Sequence, residues 1–383
     1  MGLGNGEVKI EYESLPKFIS VLKGLYKSPV KPHRKGREYI FVQSSSRWHR
    51  EPRVREDISI PPEIVLELRD CLVSSSGKVL SPDGREIDFN SLGVYSSPAE
   101  QVASEVEPWI VAKALTGSFI HGLYSPIGRP DGRAFGSIAF GHWLIHRMPK
   151  IHSGLLASPE SSVLTSPERW DSSTLIDSLG LGQGTINHLN YLGPNEFVRV
   201  EKLILSSQAA SRGQTNRIVD WQRLSLMADQ VRSYAVDDSN QEVQQKIYLT
   251  RTTTSGSRKG CINRNIIEEQ LRDKGFFVIA PETLSFREQV NLLSNARHIV
   301  SEAGSAGLLS LFTKNLKSFT SLSPRPKYSV SKEGNSGTPW DRHLVLPRRS
   351  VFRFASIARE MKTFSSWIAD ETMVRNVIRK IPE

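Results

Sequence analysis

Residues 246–312 read KIYLTRTTTSGSRKGCINRNIIEEQLRDKGFFVIAPETLSFREQVNLLSNARHIVSEAGSAGLLSLF. Lys246–Thr250 is a short apolar strand, and Thr252–Gly260 is a loop rich in Ser, Thr, Gly and Arg. Asn263–Lys274 has helical periodicity, with Ile262, Ile266 and Leu271 on one side and Gly275 placed to stop it. Phe276–Ala280 is the next strand. Ser285–Ala296 is the next helix, with Phe286, Val290, Leu293 and Ala296 in register. His298–Ser301 is a third strand, followed at once by Ala303-Gly304-Ser305-Ala306-Gly307, and a further helix opens at Leu308. Strands alternating with helices specify a parallel sheet with right-handed crossovers, which is a Rossmann-like half.

Upstream, Phe197–Leu205 reads as a strand and Trp221–Tyr234 as a helix. Gly136–Ile151 turns helical, with Phe140, Leu144, Met148 and Ile151 recurring every three or four residues and Pro149 expected to end or kink it. Residues 29–55 are basic, with Tyr39, Phe41 and Trp48 interleaved. That mixture suits single-stranded nucleic acid, or an edge segment with one strand at Tyr39–Val42; no stacking-module pattern accompanies it, which favours the edge segment. Residues 351–378 read as a helical tail. The expected division is an N-terminal domain over 1–235, a Rossmann-like domain over 236–345, and a tail over 346–383 that packs back on the N-terminal domain.

The chain has 383 residues, enough for two cores. Hydrophobic residues make up 38% and charged residues 23%, a globular balance. Two cysteines, Cys71 and Cys261, cannot build a disulfide framework or a Cys-based zinc site. No apolar run reaches the roughly 18–20 residues that span a bilayer. The first ten residues, MGLGNGEVKI, show no charged-then-apolar signal pattern. The expectation is a soluble, cytoplasmic protein. The net charge of +10 admits nucleic acid, an anionic membrane face or phosphate-bearing small molecules.

Three places could carry chemistry. In an open parallel sheet, ligands bind beyond the carboxyl ends of the strands. The small-residue turn at Val300–Leu308 lets backbone N–H groups approach a phosphate at a helix start, which makes Gly304 and Ser305 candidate contacts. The same residues also suit a tight turn that merely packs, and neither a dinucleotide fingerprint nor a P-loop is present. Arg251 follows the first strand, with Arg258 and Lys259 in the same loop; a guanidinium fork suits phosphate, and a solvated basic loop is the plainer alternative. His142 and His146 stand at i, i+4, a spacing that shares one α-helical face. They suit a general base, or are simply buried, satisfied histidines; without an intervening Glu they make a weak metal signal.

These residues together resemble glycosyltransferase family 61, in its bacterial capsular-polysaccharide type, over roughly residues 135 to 315. Phe140-Gly141-His142-Trp143-Leu144 with Pro149 resembles the family's "HWL…P+L" helix. Tyr248-Leu249-Thr250-Arg251 and Ile262-Asn263 resemble its strand-Arg and "R-x-I-x-N-E" segment. Gly275–Ile279 with Pro281–Phe286 and Gln289 resembles "GF-x-VV-x-PE-x-LSF-x-EQ". Ala296 through Ile299-Val300, then Glu302, Gly304-Ser305 and Phe312, resembles the "A-x-x-IV-x-x-x-GS…F" ending.

The resemblance implies an α/β protein of GT-B type, two Rossmann-like domains facing across a cleft. It implies an inverting glycosyltransferase that needs no bound metal or other cofactor and uses a nucleotide sugar, expected to be UDP-linked, as substrate. The acceptor would be a glycan or lipid-linked saccharide, with peripheral contact at the inner membrane and no nucleic acid. Arg251, Arg258, Lys259, Asn263, Glu282, Gly304 and Ser305 would bind the donor; His142, His146 or Glu302 would serve catalysis. This chain departs from the pattern at Arg264, where an acid is usual, at His146, where an acid often stands, and at Ala306–Leu309. Those departures keep open a transferase fold that binds without catalysing, beside a basic nucleic-acid or membrane module.

Overall fold

The computed structural model describes residues 19–21, 39–42, 48–50, 63–75, 77–82, 85, 87, 113–123, 140–165, 178–179, 189–192, 196–207, 210–212, 217–219, 221–235, 244–251, 260–302, 304–323, 351–361 and 366–381. The chain forms two compact units. One holds residues 1–31 and 59–227; the other holds 32–58 and 228–383. The division falls inside the helix Trp221–Ala235 rather than after it.

The first unit is built on a seven-stranded mixed sheet. Its order is Ile19–Val21, Val65–Ser74, Phe197–Ser206, Lys113–His121, Ser162–Thr165, Leu189–Tyr191, with Val79–Leu80 added to Val65–Ser74. The last four strands in that order run parallel, and the others are antiparallel. Leu66, Leu68, Val73, Phe119, Leu164, Val200 and Leu203 form its core.

The helix of the His-Trp motif covers this sheet. It runs as an α-turn Phe140–His142, a π-helix Trp143–Arg147 and an α-helix Met148–Ala157. Pro149 therefore neither ends nor breaks it. Pro149 occupies the first turn of the last segment, where its missing N–H costs little, and the wide π turn just before it takes up the strain. Close approach comes from Gly154, whose added Cβ would lie 2.6 Å from Ile120 Cγ2. A buried cation pins the same helix: Arg223 Nε donates to Ser153 Oγ at 2.8 Å and pairs with Glu63 Oε1 at 3.0 Å, and its Nη2 donates to the Pro149 carbonyl at 3.3 Å.

The second unit carries the parallel sheet expected from residues 246–312. The order is Phe277–Ile279, Lys246–Leu249, His298–Glu302, Ser318–Ser323, Val351–Ser356, Tyr39–Val42 and Trp48–Arg50. All neighbours pair in parallel except the last two. The helix Asn265–Asp273 follows Lys246–Leu249, after the two-residue strand Gly260–Cys261, and Phe286–Ser294 lies between Phe277–Ile279 and His298–Glu302. Ser285 starts the second helix with a full capping box, its hydroxyl accepting from Glu288 N while the Glu288 carboxylate accepts from Ser285 N. Gly275, at φ 78, closes the first. Tyr248, Ile267, Leu271, Phe276, Val300, Leu322 and Trp367 form the core.

Both chain ends differ from the sequence expectation. Tyr39–Val42 is a strand, yet it belongs to the second unit's sheet. The stretch after 346 is no helical tail on the N-terminal domain. Val351–Ser356 is an interior strand of the second unit, Ala358–Met361 and Ser366–Ala369 form a small sheet with Gly260–Cys261, and among the described residues of this stretch only Glu371–Arg379 is helical. Phe352, Phe354 and Ser356 alternate at strand spacing, and the parallel ladders on both sides supply the hydrogen bonds that decide between strand and helix. Removing residues 346–383 takes this interior strand away. The truncated protein is expected to lose the cooperative near-UV circular dichroism of the second unit and to be cut rapidly by protease, whereas a truncation that stays folded would show the strand to be dispensable.

Candidate functional site

Counting strands of the second sheet from Lys246, the order is 2-1-3-4-5. The chain goes outward from strand 1 in one direction and from strand 3 in the other, so the two connections part between Lys246–Leu249 and His298–Glu302. That topological switch point is where an open α/β sheet leaves a crevice at its carboxyl edge. Leu249 stands opposite Ser301, so Arg251 and Gly304 both emerge at this edge.

The structure brings them together. A Cβ placed on Gly304 would lie 2.8 Å from Arg251 Nη1 and 3.3 Å from its Cζ. The guanidinium thus fills the space a side chain at 304 would need. Gly304 has φ 156 and ψ −171, a region only glycine enters without strain. From Ser305 the chain winds into a 3-10 helix to Phe312, three residues earlier than the periodicity indicates. Ser305 is half-buried at its start.

Glu302 ends the neighbouring strand, 3% exposed. Its Oε1 accepts from Arg264 Nε at 2.5 Å and from the Tyr248 hydroxyl at 3.5 Å. Burial, then the Glu302 charge, holds the Tyr248 hydroxyl well above its usual pKa, so it stays a donor. Burial alone would lower Arg264, but the hydrogen bond and charge of Glu302 outweigh it, and the guanidinium ends above its usual value. Burial, reinforced by Glu302, pushes the Cys261 thiol up to about 11. The carboxylate proposed as a base is therefore committed to a cation.

The remaining sequence candidates are scattered. Asn263 is consumed by structure: its Nδ2 donates to the Ala369 carbonyl at 3.0 Å and its Oδ1 accepts from Ala369 N at 2.7 Å, clamping strand Ser366–Ala369. Glu282 lies exposed on the 3-10 turn Pro281–Thr283. Arg258 and Lys259 lie outside the described residues.

His142 and His146 are in the first unit. His146 is 3% exposed within the π segment. Because Trp143–Arg147 is bonded i to i+5, the α-helical rule that i and i+4 share a face does not hold across these two positions. Among the described residues no three His, Cys, Asp or Glu side chains are grouped to hold a metal ion, and no helix is long and apolar enough to cross a membrane.

Arg264 and Tyr248 were not among the candidates. A signal for Arg264 existed: an acid at the end of an apolar strand must find a cation or a set of donors, and Arg264 opens the next helix.

The family model described as Glycosyltransferase 61 matches residues 140–319, from the His-Trp helix into strand Ser318–Ser323. The match supports glycosyltransferase family 61 for this chain, and the mixed α/β architecture with parallel strands fits a glycosyltransferase fold. A search of curated proteins finds no match.

Two substitutions separate packing from chemistry here. Asn263→Ala strands two backbone groups of Ala369 and is expected to cost about 1–3 kcal/mol in denaturant unfolding. Gly304→Ala forces a Cβ onto the Arg251 guanidinium and a non-glycine residue into a glycine-only conformation, at about 1–3 kcal/mol of strain. A crystal structure of that variant is expected to show Arg251 displaced.

Proposed function

We propose that this protein is an inverting, metal-independent glycosyltransferase of the bacterial capsular-polysaccharide type. It would move a sugar from a nucleoside-diphosphate donor, UDP-linked in our reading, to a glycan or lipid-linked acceptor. The observation that carries this reading is Arg251 against Gly304 at the switch point of the parallel sheet. A guanidinium fork and a glycine that admits close backbone approach are what two linked phosphoryl groups require.

In this proposal the two units act as the two halves of a GT-B enzyme, with the donor on the second. The acceptor hydroxyl attacks the anomeric carbon from the face opposite the nucleotide. Its oxygen forms the new glycosidic bond as the bond from the anomeric carbon to the phosphate oxygen breaks. The nucleoside diphosphate leaves with that electron pair, and its growing charge is met by Arg251, by the 3-10 start at Ser305, and by Arg258 or Lys259. His142 or His146 takes the hydroxyl proton. Glu302, the other catalytic candidate, is paired with Arg264, and in this reading the proton goes to a histidine instead. The reaction would take place on the cytoplasmic side, with peripheral contact at the inner membrane.

Arg251→Ala is the direct test. Removing one preorganised charge-stabilising donor costs about 10²–10³ in turnover in well-studied sites, and a loss of that size is expected in a transfer assay with UDP-sugars. The melting temperature should stay close to that of the wild type. Unchanged turnover would overturn the assignment.

A further inference from the structure

Glu302 presents a difficulty to any anion at this edge of the sheet. It is the last residue of strand His298–Glu302, beside the strand that leads into Arg251, and it is 3% exposed. A carboxylate in such a place attracts no diphosphate and repels one through a poorly screening interior. The protein answers with Arg264, whose side chain is 13% exposed and whose Nε meets Glu302 Oε1 at 2.5 Å. Gly260 makes room for the pair: with φ 67, a Cβ there would lie 2.7 Å from Arg264 Nη2 and 3.2 Å from Glu302 Oε2. Nη2 itself is buried with no hydrogen-bond partner among the described residues. A fork built to bind with two nitrogens is thus used by one, so the contact is not optimised as an ion pair for stability. Its consistent effect is to cancel one negative charge at the end of the strand beside the one that leads into Arg251.

We propose that Arg264 is the charge-balancing, positioning residue of the donor site: it neutralises Glu302, so that the crevice keeps the positive field of Arg251 toward a nucleoside diphosphate. This rests on the donor-site reading given above. It predicts a rescue that a purely structural role does not. In R264Q the Glu302 charge is uncompensated, and in R264Q/E302Q both charges are gone.

The test is isothermal titration of the full-length protein with UDP and, separately, inorganic pyrophosphate. R264Q is expected to bind both at least about tenfold more weakly, equivalent to about 1.4 kcal/mol. R264Q/E302Q is expected to recover to within about threefold of the wild type. R264Q binding like the wild type, or a double variant as weak as R264Q, overturns the inference while leaving the donor site standing. If R264Q does not fold, R264Q/E302Q and R264K decide: both binding within that range supports it, and loss of binding in a folded R264Q/E302Q overturns it. A wild type that binds neither probe overturns the donor-site reading and this inference with it.

Discussion

The parallel register between Lys246–Leu249 and His298–Glu302 is the constraint on which the rest turns. Pairing Leu249 with Ser301 leaves both strands to end at the same level. Arg251 and Gly304 then have nowhere to go but the same crevice edge. A one-residue slip would send Tyr248 and Val300 to the opposite face and dismantle the core they share with Ile267 and Leu271. The apolar interior thus enforces the polar geometry, and the guanidinium at the switch point follows from how valine, tyrosine and leucine pack beneath it.

Much of this was legible in the sequence. The strands at 246, 277 and 298 and the helices between them followed from apolar spacing and a terminating glycine. The conjunction of Arg251 with Gly304 followed from knowing that parallel strands discharge at one edge. What escaped was whatever depends on partners distant in sequence. Val351–Ser356 is a strand because the sheet offers it a ladder on both sides, and Tyr39–Val42, legible as a strand, gave no local trace of the sheet it joins. The π segment before Pro149 is a negotiated backbone geometry that helical periodicity disguises. Arg264 read as an irregularity because its meaning lies 38 residues away, at Glu302.

Several motif residues prove to be carpentry. Gln289 Nε2 donates to the carbonyls of Pro281 at 2.8 Å and Leu284 at 3.0 Å, holding the turn before its own helix. Phe286 meets Phe312 edge-on at 5.5 Å, fastening that helix to the 3-10 segment beyond Gly304. Asn263 ties the loop's return to strand Ser366–Ala369. Short sequence patterns of this kind mix supports with reagents. Side-chain hydrogen bonds identify the supports: a group whose donors and acceptors are spent on backbone is a brace.

The placement of Tyr39–Val42 beside Val351–Ser356 has a consequence for how the protein is made. Tyr39–Val42 leaves the ribosome about 300 residues ahead of its neighbour Val351–Ser356. At about 5–20 residues per second, the intervening chain takes about 15–60 s to translate. Throughout that interval Tyr39, Ile40, Phe41 and Val42 lack the Val351–Ser356 side of their ladder and have Trp48–Arg50 alone to pair with, in the company of a strongly basic segment. The lysines and arginines around them make that segment positive, and like charge opposes edge-to-edge pairing between nascent chains.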